Sequence, residues 1–389
     1  MTNHTIRKAQ TEIRRFAGRA RRVADVPGMV RHLHFQRLRE RFNSEMWQTA
    51  AQAIGAEFAP WRSGFSRVSR DGRMTLVRGG EVMLDSHLTL DLMGNKSLVY
   101  ALMREKGFPS PAHIRFSAAN LAPAERFLEE ASGPIVVKPE SGTGGGRGVT
   151  TGITDVHALR KAVRLAARYD VGLIAEDQFE GSSYRLLFLD GRFIDAVRRD
   201  PPMIEGDGRK TIRRLIAEEN RRRLAGSPFT ALSPITIDRD CRNWLAAHGL
   251  SPRHRLSRGV TIPVKQAANE NAAAQNRIVR ETVHHRTIAD CARLVTDLGV
   301  TLAGVDILCR DIALPLGPDN GLISEINTTP GLHHHYLVRE TDRIAGAAEA
   351  VLDHILTTGQ GAIRLDGQTI FPRAVFQAAR MPKRAAGAG

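Results

Sequence analysis

Two carboxylates lie in stretches that would otherwise read as buried strands. Asp306 sits in AGVDIL, and Glu325 and Asn327 sit in LISEINTTPG. Both stretches have the length and apolar content of strands. Strand residues alternate faces, so Glu325 and Asn327 point to one side. A carboxylate on an apolar strand is costly unless it meets a cation. Asp306, Glu325 and Asn327 therefore read as a half-shell of oxygen donors for Mg²⁺, with Mn²⁺ as the alternative ion, completed by phosphates and waters. For one acid alone, an edge-strand position facing water is an equal reading. The Glu-x-Asn pair, a hairpin-length loop away from Asp306, favours the metal.

A second stretch supplies cations and backbone donors. Ile135 to Thr150 reads IVVKPESGTGGGRGVT: three apolar strand residues, Lys138, then Ser141 and a turn holding Gly142, Gly144, Gly145, Gly146 and Gly148. Glycines let a backbone lie against a ligand with its N–H groups turned inward, and such nests hold anions. The functional reading is a flap over nucleotide phosphates; the plain alternative is a glycine-rich hairpin. It is not a Walker A loop, because no GK[ST] follows. Nor is it a dinucleotide fingerprint, because a strand rather than a helix continues from Val149.

These residues need elements to position them. Lys96 opens a helix that stops at Gly107, ahead of Pro109 and Pro111. The order strand 113–116, helix 122–130, flap strands, helix 155–169, strand 173–176 is a compact α+β lobe. Residues 183–199 form a hairpin about Asp190–Gly191. A helix is expected over 211–223, another over 238–248 and a strand over 260–264, with 224–275 otherwise unpatterned. A helix over 285–300 leads into the two acidic strands, and a last helix covers 341–356. The partition expected is a basic helical arm over 1–45, broken at Pro27–Gly28; a small mixed unit over 46–95; a nucleotide-binding body over 96–358, with lobes of about 96–176 and 177–358; and a tail over 359–389.

Bulk properties exclude several classes. With 389 residues, 42% hydrophobic and 25% charged, the chain reads as a soluble globular protein of two or three lobes. No apolar run reaches membrane-spanning length, and the N-terminus lacks a secretory h-region. Three dispersed cysteines without CxxC argue against disulfides and zinc and for a reducing, cytoplasmic setting. The net charge of +15 comes in short arginine clusters with only 5% aromatics, so nucleic acid is not the expected partner. Residues 1–45 read as an amphipathic arm that packs on its own chain or on a partner subunit, a homodimer being the assembly open to it. His333, His334 and His335 read as a pocket rim in preference to a metal site, since three adjacent residues do not converge on one ion. His284 and His285 read as helix-start residues, and Lys265 and Asn269 as lining the acceptor side.

IVVKP with SGTGGGRG, LIAEDQF, GVDIL and SEINTTPG, in that order, resemble the successive nucleotide- and magnesium-binding elements of the ATP-grasp ligases. YRLLFLDGRFIDAVRRDP, GDGRKTIRRLIAEEN and EINTTPGL bring the resemblance closest to the ATP-grasp domain of the cyanophycin synthetases, over residues 80–356. The resemblance implies an α+β ATP-grasp fold whose two lobes grip ATP. It implies joining of a carboxylate, from an amino acid or peptide, to an amine through an acyl phosphate, releasing ADP and phosphate. A kinase, a carboxylate–thiol ligase and a non-catalytic nucleotide-binding protein are the alternatives. Carried over by residue, Lys96 and Lys138 hold phosphates and the flap from Ser141 through Gly144, Gly145, Gly146 and Gly148 closes over them. Glu176, Asp177 and Phe179 meet adenine, largely through backbone. Arg185, Arg198 and Arg199 hold the substrate carboxylate or the tetrahedral intermediate. Ser183 stands where an acid often binds the ribose. Gly304 stands where D-alanine ligases place an arginine, so Arg198 or Arg199 is expected to supply that charge. The Mur-ligase-like module of cyanophycin synthetases does not follow here, so polymerisation by this chain alone is not expected.

Overall fold

The computed structural model describes residues 26–141 and 146–364, with the side chains of 26–29 and 31 excepted. It divides into two compact units, residues 26–43 with 85–347 and residues 44–84 with 348–364. The described part of the basic arm is helix α1, Val26–Ala53. Pro27 and Gly28 fall in its first turn, where proline costs no hydrogen bond; the expected break of the arm there turns on what precedes Val26, which lies outside the described residues.

The smaller unit is a meander of β1 (Glu57–Pro60), β2 (Ser66–Arg70) and β3 (Arg73–Val77). Asp71 and Gly72, both at positive φ, make the β2–β3 turn. The strand Ile363–Arg364 adds to β3, and Trp47, Val68, Met74, Leu352 and Ile355 are buried. Arg73 donates to Leu356 O at 2.8 Å and Thr75 to Gly361 O at 2.9 Å. The unit is thus discontinuous in sequence, its helix Ala347–Thr358 coming from the far end of the chain. That helix is shorter than the 341–356 expected: Thr341–Arg343 is a separate 3-10 turn, and Gly346 at φ +63° intervenes.

The larger unit begins with α2 (His87–Gly94) and α3 (Lys96–Glu105). The chain then runs through β4 (His113–Ser117), α4 (Ala122–Glu130), β5 (Ile135–Pro139), β6 (Thr150–Ile153), α5 (Val156–Ala166) and β7 (Gly172–Asp177). These four strands form an antiparallel sheet of order β4-β7-β5-β6. Helix α5 starts because the Asp155 carboxylate accepts from Ala158 N at 2.8 Å. It packs through Leu159, Ala162, Val163 and Ala166, the i, i+3, i+4, i+7 stripe of a helix with one buried face.

A second sheet is built from β8 (Ser182–Leu189), β9 (Arg192–Arg199), β12 (Asn276–Ile278), β13 (Leu302–Cys309) and β14 (Gly321–Thr328), in the order β12-β9-β8-β13-β14. Helix α8 (His285–Asp297) buries Cys291, Leu294 and Val295 in the core of this sheet. His284 caps α8, its Nδ1 accepting from Arg286 N. Between β9 and β12 stands an insert whose two helices and second strand match the expected 211–223, 238–248 and 260–264. It comprises β10 (Met203–Glu205), α6 (Ile212–Ala225), α7 (Arg239–Ala247) and β11 (Thr261–Pro263). Ile204, Ile212, Ile216, Ile235, Cys241 and Leu245 give it a core of its own.

Candidate active site

Register puts the chemistry on one face of the five-stranded sheet. Arg185 on β8 lies opposite Asp306 on β13, and Asp306 opposite Glu325 on β14. Directly opposed residues share a face, and so do residues two apart, which adds Asn327 and Ser183. Ser183 is opposite Arg199 on β9, so Arg199 joins the same face. Arg198 pairs with Tyr184, a core residue, and therefore lies on the other face, where its Nε donates to Asp200 at 2.7 Å. The structure brings Arg185 and Arg199 to the acids and leaves Arg198 apart.

The Arg185 guanidinium grips Asp306 with two bonds, Nε to Oδ1 and Nη2 to Oδ2, the latter 2.9 Å. Arg199 Nη2 lies 3.2 Å from Asp306 Oδ2 and donates to Ser183 Oγ at 3.0 Å. Burial would raise the Asp306 carboxyl, but Arg185 and Arg199 outweigh it and hold the acid below its usual range. Burial likewise lowers Arg199 despite Asp306, whereas for Arg185 the acid prevails and the guanidinium is held more firmly charged. Gly304 has a specific neighbour: a Cβ there would stand 2.9 Å from Arg185 Cδ and 2.7 Å from Pro330 Cβ. The space over Gly304 is filled by the stem of Arg185. Arg185 of the adjoining strand and Arg199, one of the two residues expected to stand in for an arginine at 304, both lie against Asp306 beside it.

The other wall comes from the first sheet and α3. Lys138, buried on β5, lies 2.7 Å from Glu176 Oε2 and donates to Tyr100 Oη at 2.8 Å. Tyr100 in turn bonds Ser324 O on β14 at 2.7 Å and Glu176 at 3.1 Å. Burial, with Glu176 and Glu325 adding to it, lifts the Tyr100 phenol well above its ordinary value, so it stays protonated. Lys96, at the start of α3, reaches Glu325 Oε1 at 3.1 Å. Lys96 and Tyr100 are four apart on one helix, so they project from one face; that spacing was the available signal for Tyr100, which the sequence reading missed. Lys96 and Tyr100 therefore meet β14 directly, and Lys138 meets it through Tyr100, beside Asp306, Glu325 and Asn327.

The flap is described at its ends. Ser141 is pinned by Asp170, which accepts from its N at 2.9 Å and its Oγ at 2.8 Å. Gly148, at φ +81°, admits no Cβ, which would stand 2.8 Å from both Pro139 Cγ and Tyr169 Cδ2. Gly146, also at positive φ, lies against Asn269. Gly144 and Gly145 lie outside the described residues. Along the expected adenine edge, the Glu176 carboxylate turns to Lys138, while Asp177 N and Gln178 N are already bonded to Ala112 O and Pro134 O. Phe179 lies under Arg310, 5.6 Å from centroid to guanidinium.

Other expected residues find different surroundings. Lys265 is 2% exposed inside the insert, 2.7 Å from Asp238 and 2.8 Å from Glu270, so it ties the insert together and does not face an acceptor. His335 is buried, its Nδ1 2.8 Å from the Asp195 carboxylate, itself fully buried. His333 and His334 are half-buried with rings 4.0 Å apart. Burial, then Arg185, pushes His333 down to about 3; burial and His333 hold His334 well below its usual value; and burial outweighs Asp195 at His335. Among the described residues, no group of three His, Cys, Asp or Glu side chains is arranged for a metal ion. The candidate metal set presents carboxylate and amide oxygens, the donor type that suits Mg²⁺ or Mn²⁺; both Asp306 oxygens are bonded to Arg185 and Arg199, and Lys96 lies against Glu325, so the set is already matched to positive charge.

No protein-family profile matches the chain. It is 29% identical over 251 residues to the cyanophycin synthetase of Trichormus variabilis, covering 64% of this chain and 27% of that one. It is 26% identical over 300 residues to the glutathione biosynthesis bifunctional protein of Streptococcus mutans, covering 75% of this chain and 39% of that protein. The chain thus spans between about a quarter and two fifths of these relatives. Among solved structures it resembles a bifunctional glutathione synthetase from Pasteurella multocida, with a TM-score of 0.50 and 19% identity over 79% of this chain and 43% of that one.

Proposed function

From the premise that this chain has an ATP-grasp fold and shares sequence with part of the cyanophycin synthetases, we propose that it is an ATP-dependent ligase joining a carboxylate to an amine. The observation that carries the reading is the contact of the lysines with the acidic strand: Lys96 at 3.1 Å from Glu325, and Lys138 linked through Tyr100 to Ser324 O. Phosphate-binding cations and metal-binding oxygens thereby lie within one nucleotide's reach.

In this reading Lys96 and Lys138 bind the ATP phosphates, and the flap from Ser141 to Gly148 covers them. Mg²⁺ held by Asp306, Glu325 and Asn327 would neutralise phosphate charge during transfer. The substrate carboxylate takes the γ-phosphoryl, ADP leaves, the amine attacks the acyl carbon, and phosphate departs. Arg185, with Arg199 behind it, stabilises the oxyanion that forms at that carbon. The flap excludes water, which would otherwise hydrolyse the acyl phosphate. The partners are small-molecule acids and amines.

The test is ADP release from Mg·ATP with a mixed pool of amino acids and dipeptides, followed by mass spectrometry. Release dependent on both an acid and an amine, with an amide product, supports the ligase. A phosphorylated or thioester product assigns a kinase or a thiol ligase. Calorimetry showing no ATP uptake in Mg²⁺ removes the reading altogether.

A further inference from the structure

The insert carries a charged face that the cleft chemistry does not use. The loop 251–258 runs beside the start of α6: Ile212 N donates to His254 O and Arg213 N to Pro252 O, both at 2.9 Å, and Thr211 bridges to Arg255. Gly208 N donates to Leu256 O at 3.1 Å, closing the same ladder. These bonds gather Arg209, Arg213, Arg214, Arg253, Arg255 and Arg258, all of them exposed. None has a carboxylate within ion-pair distance among the described residues, whereas on the rest of α6 Arg221 pairs with Glu218 and Arg222 and Arg223 pair with Glu219.

Two of the six stand where local stability disfavours them. Arg213 and Arg214 occupy the first turn of α6, which holds no acid. Cations there oppose the helix dipole. Clustered like charges add repulsion. A fold keeps such a conflict where the site serves a ligand. An anion would relieve both terms.

We propose that this arginine face docks a carboxylate-rich peptide, the substrate of the ligase reaction; the substrate half of the proposal rests on the ligase reading, the docking half does not. Guanidinium forks match carboxylates with two parallel bonds. The two segments, EGDGRKTIRR and SPRHRLSRGV, contain no Phe, Tyr or Trp on which bases would stack, which disfavours single-stranded nucleic acid. The same insert meets the flap, with Thr151 Oγ1 donating to Gln266 at 2.8 Å and Gly146 against Asn269. A peptide lying on it is held by the element that adjoins the flap.

Fluorescence anisotropy of a labelled oligoglutamate, with no nucleotide present, tests the docking. The full chain is expected to bind it, more weakly as salt is raised. The variant R213E/R255E/R258E is expected to lose about tenfold or more in affinity while its calorimetric ATP uptake stays unchanged and its melting temperature does not fall, since an acid at position 213 suits the helix start. In ADP-release assays, oligoglutamate is expected to show a lower KM than free glutamate, and the variant to remove the difference. The proposal is overturned if the wild type does not bind, if the variant binds equally well, if an oligothymidylate of equal charge binds more tightly, or if the two KM values are the same. Failure of ATP uptake would remove the ligase reading and leave the anisotropy result to decide the docking.

Discussion

Arg185 holds the densest part of the site, and its position explains a gap. A glycine at 304 leaves β13 without a cation, and the Arg185 stem fills that gap from β8. Substituting Arg185→Met keeps the stem and removes the charge. It should lower kcat by about 10²–10³, the usual loss for one oxyanion donor, with a much smaller effect on ATP affinity; steady-state kinetics beside calorimetry separates the two. Gly304→Arg should not add activity, because its side chain would collide with Arg185 and Pro330. Tyr100→Phe deletes a buried hydroxyl that accepts from Lys138 and donates to Ser324 O or Glu176. Leaving partners unsatisfied costs about 1–3 kcal/mol, read as a fall in the urea midpoint, and a rise in the KM for ATP should accompany it. Asp306, Glu325 and Asn327 were legible because acids interrupt apolar strands. Tyr100 was not, because a tyrosine on an amphipathic helix is ordinarily core. Telling Arg199 from Arg198 required the β8–β9 register, which includes a shift between Leu187 and Phe188.

At the scale of elements, the glycine flap turns on Gly148. An alanine there faces both positive φ and contacts of 2.8 Å with Pro139 and Tyr169. Gly148→Ala should therefore slow turnover and raise the KM for ATP while the rest of the sheet stays folded, as circular dichroism and kinetics would show. The 3-10 turn Leu332–His335 makes a second prediction. Its three histidines are neutral in the fold because their pKa values are pushed below that of a free imidazole. Their contribution to stability is present above about pH 6.5 and is lost as pH falls, because the unfolded chain takes up the protons first. Unfolding free energies from urea titrations should drop from pH 7 to pH 5, by up to about 1.4 kcal/mol per pH unit for each histidine. The triple variant H333Q/H334Q/H335Q should flatten the profile. The strands and helices around the flap were readable from period and caps, because each is local. The helices of the insert and its strand near 260 were readable in the same way; its strand 203–205 and its shared core were not, because that core joins Ile204 to Cys241 and Leu245 and no short window contains the pattern. Lys265 misled for the same reason, since its partners Asp238 and Glu270 are brought to it only by folding.

For the whole molecule, the partition into 26–43 with 85–347 and 44–84 with 348–364 departs from a simple reading along the chain. Sequence pattern places boundaries where composition changes, and it has no means of joining residue 74 to residue 363. Removing everything after residue 346 takes Val351, Leu352 and Ile355 from the smaller core. Residues 44–84 should then become the first site of tryptic cleavage while 85–346 resists, which limited proteolysis with mass spectrometry would read. The arrangement also bears on biosynthesis. As the ribosome delivers the chain in order, the meander must wait for more than two hundred and fifty intervening residues before its closing strand and helix emerge. Until then Trp47, Val68 and Met74 lack their partners, and an interrupted translation product would be marked for degradation at its beginning rather than at its end.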